Sequence, residues 1–377
     1  MSTTNSDTTI ASFHDVHFGH PNTRYDNIIR GMEKDICASD PFIRNLTYLF
    51  YPGDVFDRLL ILPEQGIPAI RREFRRQLEI CQAYGISVRV LEGTPSHDWH
   101  QSKLILSVAE EMGFTGDLKY VDTLCVEITP KGHSILYVPD EWRTDLQQTY
   151  LEALEAIKAA GLEQVDYCLF HGQFTHQFPP EWQVGCHDVD AWQLLVKHYL
   201  FAGHIHTPSK KGKIIVAGSY DRLRHGEEHP KGHYRVTVKR DGDDVIEFIE
   251  NKEAKTYLTL DVSGQSVESI YGYVESKIHG LPVNSFIRIS GNRDQSLRMV
   301  KKALTDNYPE YRWDIMFEKT KKQPKTVSLD STPIQKTTVT LGALEDAILQ
   351  RLEQSGLSPN VIDHAKQLYK DSKHEFA

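Results

Sequence analysis

From the start of the chain to about residue 250, short apolar runs alternate with amphipathic stretches of helical period, the pattern of an α/β domain. The runs TYLFY (47–51), ISVRVLE (86–92), SILYV (134–138), VDYCLF (165–170) and HYLFAG (198–203) read as buried strands. Helices are expected between them, from about Pro68 to Tyr84 and from about Thr144 to Ala160. In the second, Leu146, Leu151, Leu154 and Ile157 recur at helical spacing, and Gly85 and Gly161 stand where helix stops belong.

Beyond a charged, hairpin-like turn at Asp241–Asp244, the pieces YLTLDV, SIYGYVESKI, SFIRIS, QSLRMVKKALTD and RWDIMFEK read strand, helix, strand, helix, strand, enough for a small separate α/β unit. The following KTKKQPKTVSLDSTPIQKTTVT is polar and poorly periodic, a linker. Periodicity returns with Leu341, Leu344, Ile348 and Leu352, is stopped by Gly356, and restarts after Ser358 and Pro359 with Ile362, Ala365 and Tyr369. Two short amphipathic helices on a linker need a partner surface to cover their apolar faces. The expected organisation is therefore 1–250, 251–320, a linker 321–340 and a helical partner-binding segment 341–377.

Composition changes this picture little. With 40% hydrophobic and 25% charged residues over 377 positions, and no apolar run near the roughly 20 residues that span a bilayer, a membrane protein is excluded. The segment MSTTNSDTTI lacks the basic-then-apolar order of a secretory signal, so a cytoplasmic location is expected. Five scattered cysteines without a CxxC pair argue against a disulfide framework and against a cysteine zinc site. A net charge of -9 disfavours a tight stand-alone DNA binder but leaves a metal-dependent nuclease open, because bound cations reverse the local sign where a phosphate sits.

The polar chemistry falls at the ends of the apolar runs, where ligands bind in open α/β sheets. Asp15 and His17, in FHDVHFGH, are two apart, so on an extended segment they share a side and can share a cation. GDVFD (53–57) presents Asp54 after a glycine turn, with Asp57 further on; alone, it is as readily a helix cap. GTPSHDW (93–99) places His97 at a strand end, able to give a proton to a leaving oxygen or to be an incidental turn residue. His171 follows VDYCLF, and GHIH (203–206) repeats with His204 and His206 the spacing of Asp15 and His17. Each motif alone is more often structural; five in one order, each at a strand end, are not coincidence.

This order, D-x-H, GD-x-x-D, HD, HG, GH-x-H, resembles the calcineurin-like metallophosphoesterase superfamily. The resemblance implies a four-layer α-β-β-α sandwich holding two divalent cations between two sheets. Carried over, Asp15, His17 and His206 hold the first cation, His171 and His204 the second, and Asp54 bridges; His97 is the catalytic histidine, with Asp57 orienting it. The superfamily has Asn immediately before that histidine, where Ser96 stands here, a poorer ligand to the second cation. Mixed oxygen and imidazole ligands suit Mn(II), and accept Mg, Fe or Zn.

Within that superfamily, Gly218–Ser219, Gly226–Glu227 and Lys231–Gly232 resemble the G-S, G-E, K-G series of the SbcD-type nuclease subunits, a bacteriophage branch included. The layout of phosphoesterase domain, small α/β unit, linker and helical pair agrees with it. The resemblance implies a DNA exonuclease and endonuclease subunit in end processing and recombination, the small unit capping the cleft, a helical tail on a SbcC-type coiled-coil ATPase, and a homodimer. Lys210, Lys211 and Lys213, close after His206, are candidates to meet a DNA backbone, whereas Arg71, Arg72, Arg75 and Arg76 read as a solvated helix face. The alternatives are a metallophosphatase or phosphodiesterase of small phosphoesters or nucleotides, and a non-enzymatic scaffold with a decayed second metal site.

Overall fold

The structure, a computed structural model, describes residues 7–61, 66–140, 145–292 and 296–317. The expected linker 321–340 and helical segment 341–377 lie outside the described residues. The described part belongs to one compact unit, Met1–Glu318.

In chain order the strands are β1 (Thr8–Ser12), β2 (Tyr48–Pro52), β3 (Ser87–Leu91), β4 (Leu118–Val121), β5 (Cys125–Ile128), β6 (Ser134–Val138), β7 (Val165–His171), β8 (Val196–Gly203), β9 (Ser209–Lys211), β10 (Ile214–Val216), β11 (Gly232–Val238), β12 (Val245–Glu250), β13 (Tyr257–Asp261), β14 (Phe286–Gly291) and β15 (Arg312–Phe317). The helices are α1 (Tyr25–Asp35), α2 (Pro41–Arg44), α3 (Gly66–Tyr84), α4 (Pro95–Asp98), α5 (Leu104–Met112), α6 (Leu146–Ala159), α7 (Val189–Gln193), α8 (Val267–Ile278) and α9 (Ser296–Asn307). The chain is a mixed α/β fold.

Two six-stranded sheets, ordered β12-β11-β1-β2-β3-β4 and β5-β6-β7-β8-β10-β9, carry the first 250 residues. Strand alternation sorts their side chains between three cores. Tyr48 and Phe50 of β2 share a cluster with Tyr167 and Leu169 of β7 and Phe201 of β8, so this core lies between the sheets. Leu49 and Tyr51, one residue out of step, pack instead with Ile28 and Met32 of α1 and Phe74 and Leu78 of α3. Cys168 and Phe170 likewise turn towards Ala153 and Ile157 of α6 and Trp192 of α7. Because both faces of the central strands are covered, those strands read as continuous apolar runs, which is how they were recognisable.

Helix α6 departs from expectation. Its buried positions are Thr149, Ala153 and Ile157, while Leu151 and Leu154 are 44% and 37% exposed. Against the flat back of a sheet, the small residues admit close approach of the helix, and the larger leucines fall on its outer side. Gly85 and Gly161, with φ of 64° and 73°, do end their helices.

The third sheet, β13-β14-β15, is wholly parallel, with α8 and α9 as its crossovers and a core of its own around Val274, Ile287, Ile289 and Val300. Its elements follow the strand, helix, strand, helix, strand order read after the Asp241–Asp244 turn, but the sheet belongs to the same compact unit, Met1–Glu318, as the two larger sheets; the turn itself joins β11 to β12 as an antiparallel pair.

Candidate metal centre

Strands β1 to β4 run parallel, as do β6, β7, β8 and β10, so within each sheet the C-terminal strand ends lie along one edge. The segments leaving β1, β2, β3, β7 and β8 bring Asp15, His17, Asp54, His97, His171, His204 and His206 together. Asp15 and His17 do not get there by strand alternation: β1 stops at Ser12, and they have φ of 45° and 54°. Asp54 (49°) and His204 (99°) are also left-handed. Non-glycine residues avoid this region, and backbone held there clusters at functional sites.

Glycines let the loops close in. A Cβ on Gly53 would stand 2.2 Å from His171 Nδ1, and one on Gly203 would stand 2.3 Å from the Pro52 carbonyl oxygen.

Asp54 stands at the junction of the constellation. Its ligand atoms join those of His17 and His97 in one group and those of His171 and His204 in another, the atoms of each group lying within 4.8 Å of one another. Either buried group can hold a metal ion. His97 Nδ1 is 2.9 Å from Asp54 Oδ2, His171 Nε2 is 3.3 Å from Asp54 Oδ1, and His17 Nε2 lies 3.9 Å from Oδ2. His17 Nε2 and His206 Nε2 face each other at 3.0 Å. Asp15 accepts the His204 backbone N–H on Oδ1 at 2.7 Å, while its Oδ2 is buried with no hydrogen-bond partner. The donor-less Asp15 oxygen and the facing His17 and His206 nitrogens are each of a type that a cation accepts, but Asp15 and His206 fall outside the two groups whose ligand atoms lie within 4.8 Å of one another, and it is Asp54 and His97 that stand with His17.

The outer nitrogens are anchored. His171 Nδ1 donates to the Pro52 carbonyl at 2.8 Å, which leaves Nε2 with its lone pair towards the cluster. His206 Nδ1 donates to Glu227 at 3.1 Å with the same consequence. Glu227 also accepts Lys231 Nζ at 3.0 Å, and Lys231 donates to Ser219 Oγ at 2.7 Å and to the His206 carbonyl at 2.9 Å. The Ser219, Glu227 and Lys231 motifs, noticed in the sequence only as family markers, thus form one buried brace behind His206.

Charge follows this geometry. Burial would raise the Asp54 carboxyl, but the His171 imidazole and hydrogen bonds from His171 and His97 hold it well below the ordinary range. Burial alone would lower His171, yet Asp54 and then Asp15 push it up to about 10. A proton on His171 and a cation among these groups are alternative ways to balance the same carboxylates. His97 is raised, first by its hydrogen bond to Asp54. His204 is lowered by burial and by His171.

Three expectations change. Asp57 lies 3.2 Å from His17 Nδ1, within ion-pair distance of His17, and the carboxylate hydrogen-bonded to His97 is Asp54. Ser96 is exposed on α4, and its carbonyl accepts Trp99 Nε1. The hydroxyl that reaches the cluster belongs to Thr94: Oγ1 is 3.4 Å from Asp54 Oδ2, 3.3 Å from His171 Nε2 and 3.5 Å from His204 Nδ1, and the Thr94 N–H donates to Asp54 at 2.6 Å. The only sequence signal for Thr94 was its place directly after Gly93. Lys213 is turned inward, its Nζ on the Val196 carbonyl at 2.6 Å, while Lys210 and Lys211 are exposed on the edge strand β9. Lysines on an edge strand also deter edge-to-edge pairing, a role that needs no DNA.

Asp98 ties the loops together by accepting the backbone N–H groups of Phe56 (2.8 Å) and Gly93 (2.7 Å). A cavity of about 150 Å³ opens beside His171 and His204, lined also by Thr149, Gln173 and His187. Among the described residues, no helix is long and apolar enough to cross a membrane.

No family model and no curated protein matches this sequence. Among solved structures, TT1561 of Thermus thermophilus is 11% identical, over 64% of this chain and 99% of that one, with a TM-score of 0.36; a second structure is 12% identical over the same shares with a TM-score of 0.38. MurG of Acinetobacter baumannii is 9% identical, over 73% of this chain and 67% of that one, with a TM-score of 0.17. Likeness at these values carries no argument about function.

Proposed function

We propose that this protein is a two-metal phosphodiesterase with the four-layer metallophosphoesterase architecture, acting as the DNA nuclease subunit of an SbcCD-like end-processing complex. One observation carries the catalytic half: a single buried carboxylate, Asp54, joins two metal-capable groups of side chains at the meeting of five strand ends. The DNA half rests on the resemblance in sequence motifs and layout.

Two divalent cations, Mn(II) by the mixed ligand set, would supply Lewis acidity and an activated water for in-line attack on a phosphodiester. Asp15, His17 and His206 would hold one, His171 and His204 the other, with Asp54 between them. Thr94 is the neutral oxygen available to the second. His171 and His206 are kept with Nε2 inward by Pro52 and Glu227, so neither ring has to reorient to ligate. His97, raised by Asp54 and about 37% exposed, is placed to give a proton to the departing oxygen at the open side of the cluster. The SbcC-type ATPase partner and the homodimer are part of the same proposal.

The test is hydrolysis of linear DNA and of bis-p-nitrophenyl phosphate with Mn(II), with bound metal counted per chain. His97→Ala should keep two metals and lose at least about 100-fold in rate on DNA. Full activity of that variant would remove His97 from the chemistry. Cleavage of the small diester without DNA would favour the small-phosphoester reading, and one metal or none would favour the scaffold.

A further inference from the structure

A second polar cavity, of about 410 Å³, lies where the start of α1, the connector after β12 and the entrances to β14 and β15 meet. Its size is in the range of ligand pockets. Five of its lining residues are cationic, Arg24, Arg30, Lys252, Lys255 and Arg312, against one carboxylate, Glu253; Arg24 is paired with Asp26 at 2.8 Å and Lys252 with Glu250, which leaves Lys255 and Arg312 as the cations of the lining without an ion pair among the described residues. Glu253 is already engaged by Arg30 at 3.5 Å and by Lys34.

Lys255 and Arg312 form the centre of the cluster. Lys255 is 8% exposed, and its Nζ donates to the Asn22 carbonyl at 3.0 Å and sits 4.6 Å above the Phe286 ring. The Arg312 guanidinium lies 5.7 Å from the centre of the same ring. Two cations on one aromatic ring repel each other, and among the described residues no carboxylate pairs with either. Burial lowers the Lys255 ammonium; the Asp221 carboxylate, which accepts the Lys255 backbone N–H at 2.7 Å, opposes this, and the charges of Arg312 and then Arg24 add to the lowering. An anion in the cavity would remove that repulsion, and the arginine forks match the paired oxygens of a phosphoryl group. Orthophosphate would underfill the space, whereas two or more linked phosphates would not.

We propose that this cavity is a binding site for linked phosphoryl groups, separate from the His and Asp cluster. The ligand is either a free oligophosphate or the backbone of a nucleic acid strand, both of which present that chemistry. The site does not depend on the phosphodiesterase reading.

The full chain is titrated calorimetrically in EDTA, which keeps divalent cations from making the His and Asp cluster an anion site. The probes are sodium tripolyphosphate and, separately, a short single-stranded oligonucleotide. Arg30 and Arg312 are exposed, so Arg30→Gln/Arg312→Gln tests the site without touching the core, and circular dichroism verifies the fold. Tripolyphosphate should bind, and the double variant should lose at least about ten-fold in affinity. Hydrolysis of bis-p-nitrophenyl phosphate should be unchanged in the variant, whereas Lys210→Gln should leave tripolyphosphate binding intact. Displacement of tripolyphosphate by the oligonucleotide would assign the site to nucleic acid, and failure to compete would assign it to free oligophosphates. Absence of tripolyphosphate binding, or equal affinity in the double variant, overturns the proposal.

Discussion

Glu227 offers the sharpest test of how the site is built. It is 5% exposed and accepts from His206 Nδ1, from Lys231 Nζ and from the Leu223 N–H at 3.3 Å, while Lys231 is fully buried. Glu227→Gln preserves shape but leaves an ammonium in the interior, and the new NH2 must face a donor. Removing one member of a buried pair costs about 3–5 kcal/mol. Because Lys231 keeps Ser219 Oγ and the His206 carbonyl as acceptors, the lower end, about 3 kcal/mol, is expected. Urea unfolding in EDTA at pH 7 reads this without contribution from bound metal. Replacing the cation as well, in Glu227→Gln/Lys231→Met, should recover more than half of the loss, a coupling of about 1.5 kcal/mol or more. The sign with pH is fixed: despite burial, the hydrogen bond from His206 and then the Lys231 charge hold the Glu227 carboxyl well below its usual range. Its stabilisation is therefore complete above the unfolded pKa of about 4.3 and is lost as pH falls towards the depressed folded value. The difference between wild type and Glu227→Gln should shrink below that pH. Separately, Mn(II) affinity should fall about 10- to 100-fold, since His206 loses the acceptor that fixes its ring. A variant within about 0.5 kcal/mol of wild type in EDTA, or no recovery in the double variant, would refute the brace.

Thr94→Val should weaken binding of a second Mn(II) by about ten-fold in calorimetric titration while changing stability by about 1 kcal/mol or less, and Ser96→Ala should change neither; the reverse order would return the role to Ser96. His187, packed edge-on against Phe170 and Trp192, is lowered to about 4 by burial, so between pH 6.5 and 4 the unfolded chain takes up a proton that the folded chain refuses. About 3 kcal/mol of stability should be lost over that interval. His187→Phe should flatten that part of the urea-derived stability profile, and an unchanged slope would place the acid sensitivity elsewhere. Lys210→Glu/Lys211→Glu should lower affinity for duplex DNA and reduce the salt slope by about two, and an unaltered slope would leave these lysines as edge protection alone.

The amino-acid sequence by itself determined the α/β alternation, the central strands and where the candidate metal-holding residues lie along the chain. Strands covered on both faces have to be apolar throughout, so TYLFY, VDYCLF and HYLFAG are visible as runs, and the candidate metal-holding residues stand where those runs stop. What no periodicity carries is which atoms meet. Asp15 and His17 were expected to share a side as strand residues; they lie instead beyond β1 in left-handed backbone, a conformation that no neighbouring residue type announces. Asp57 lies against His17, the hydroxyl that reaches the cluster is that of Thr94 and not of Ser96, and Glu227 comes behind His206 from 21 residues away. The leucines of α6 misled because helical period shows that a face exists, whereas the sheet it packs on decides which one. Contacts between loops from two sheets depend on how those sheets pack, and that is decided by the shared core between them, far along the chain from the residues it positions.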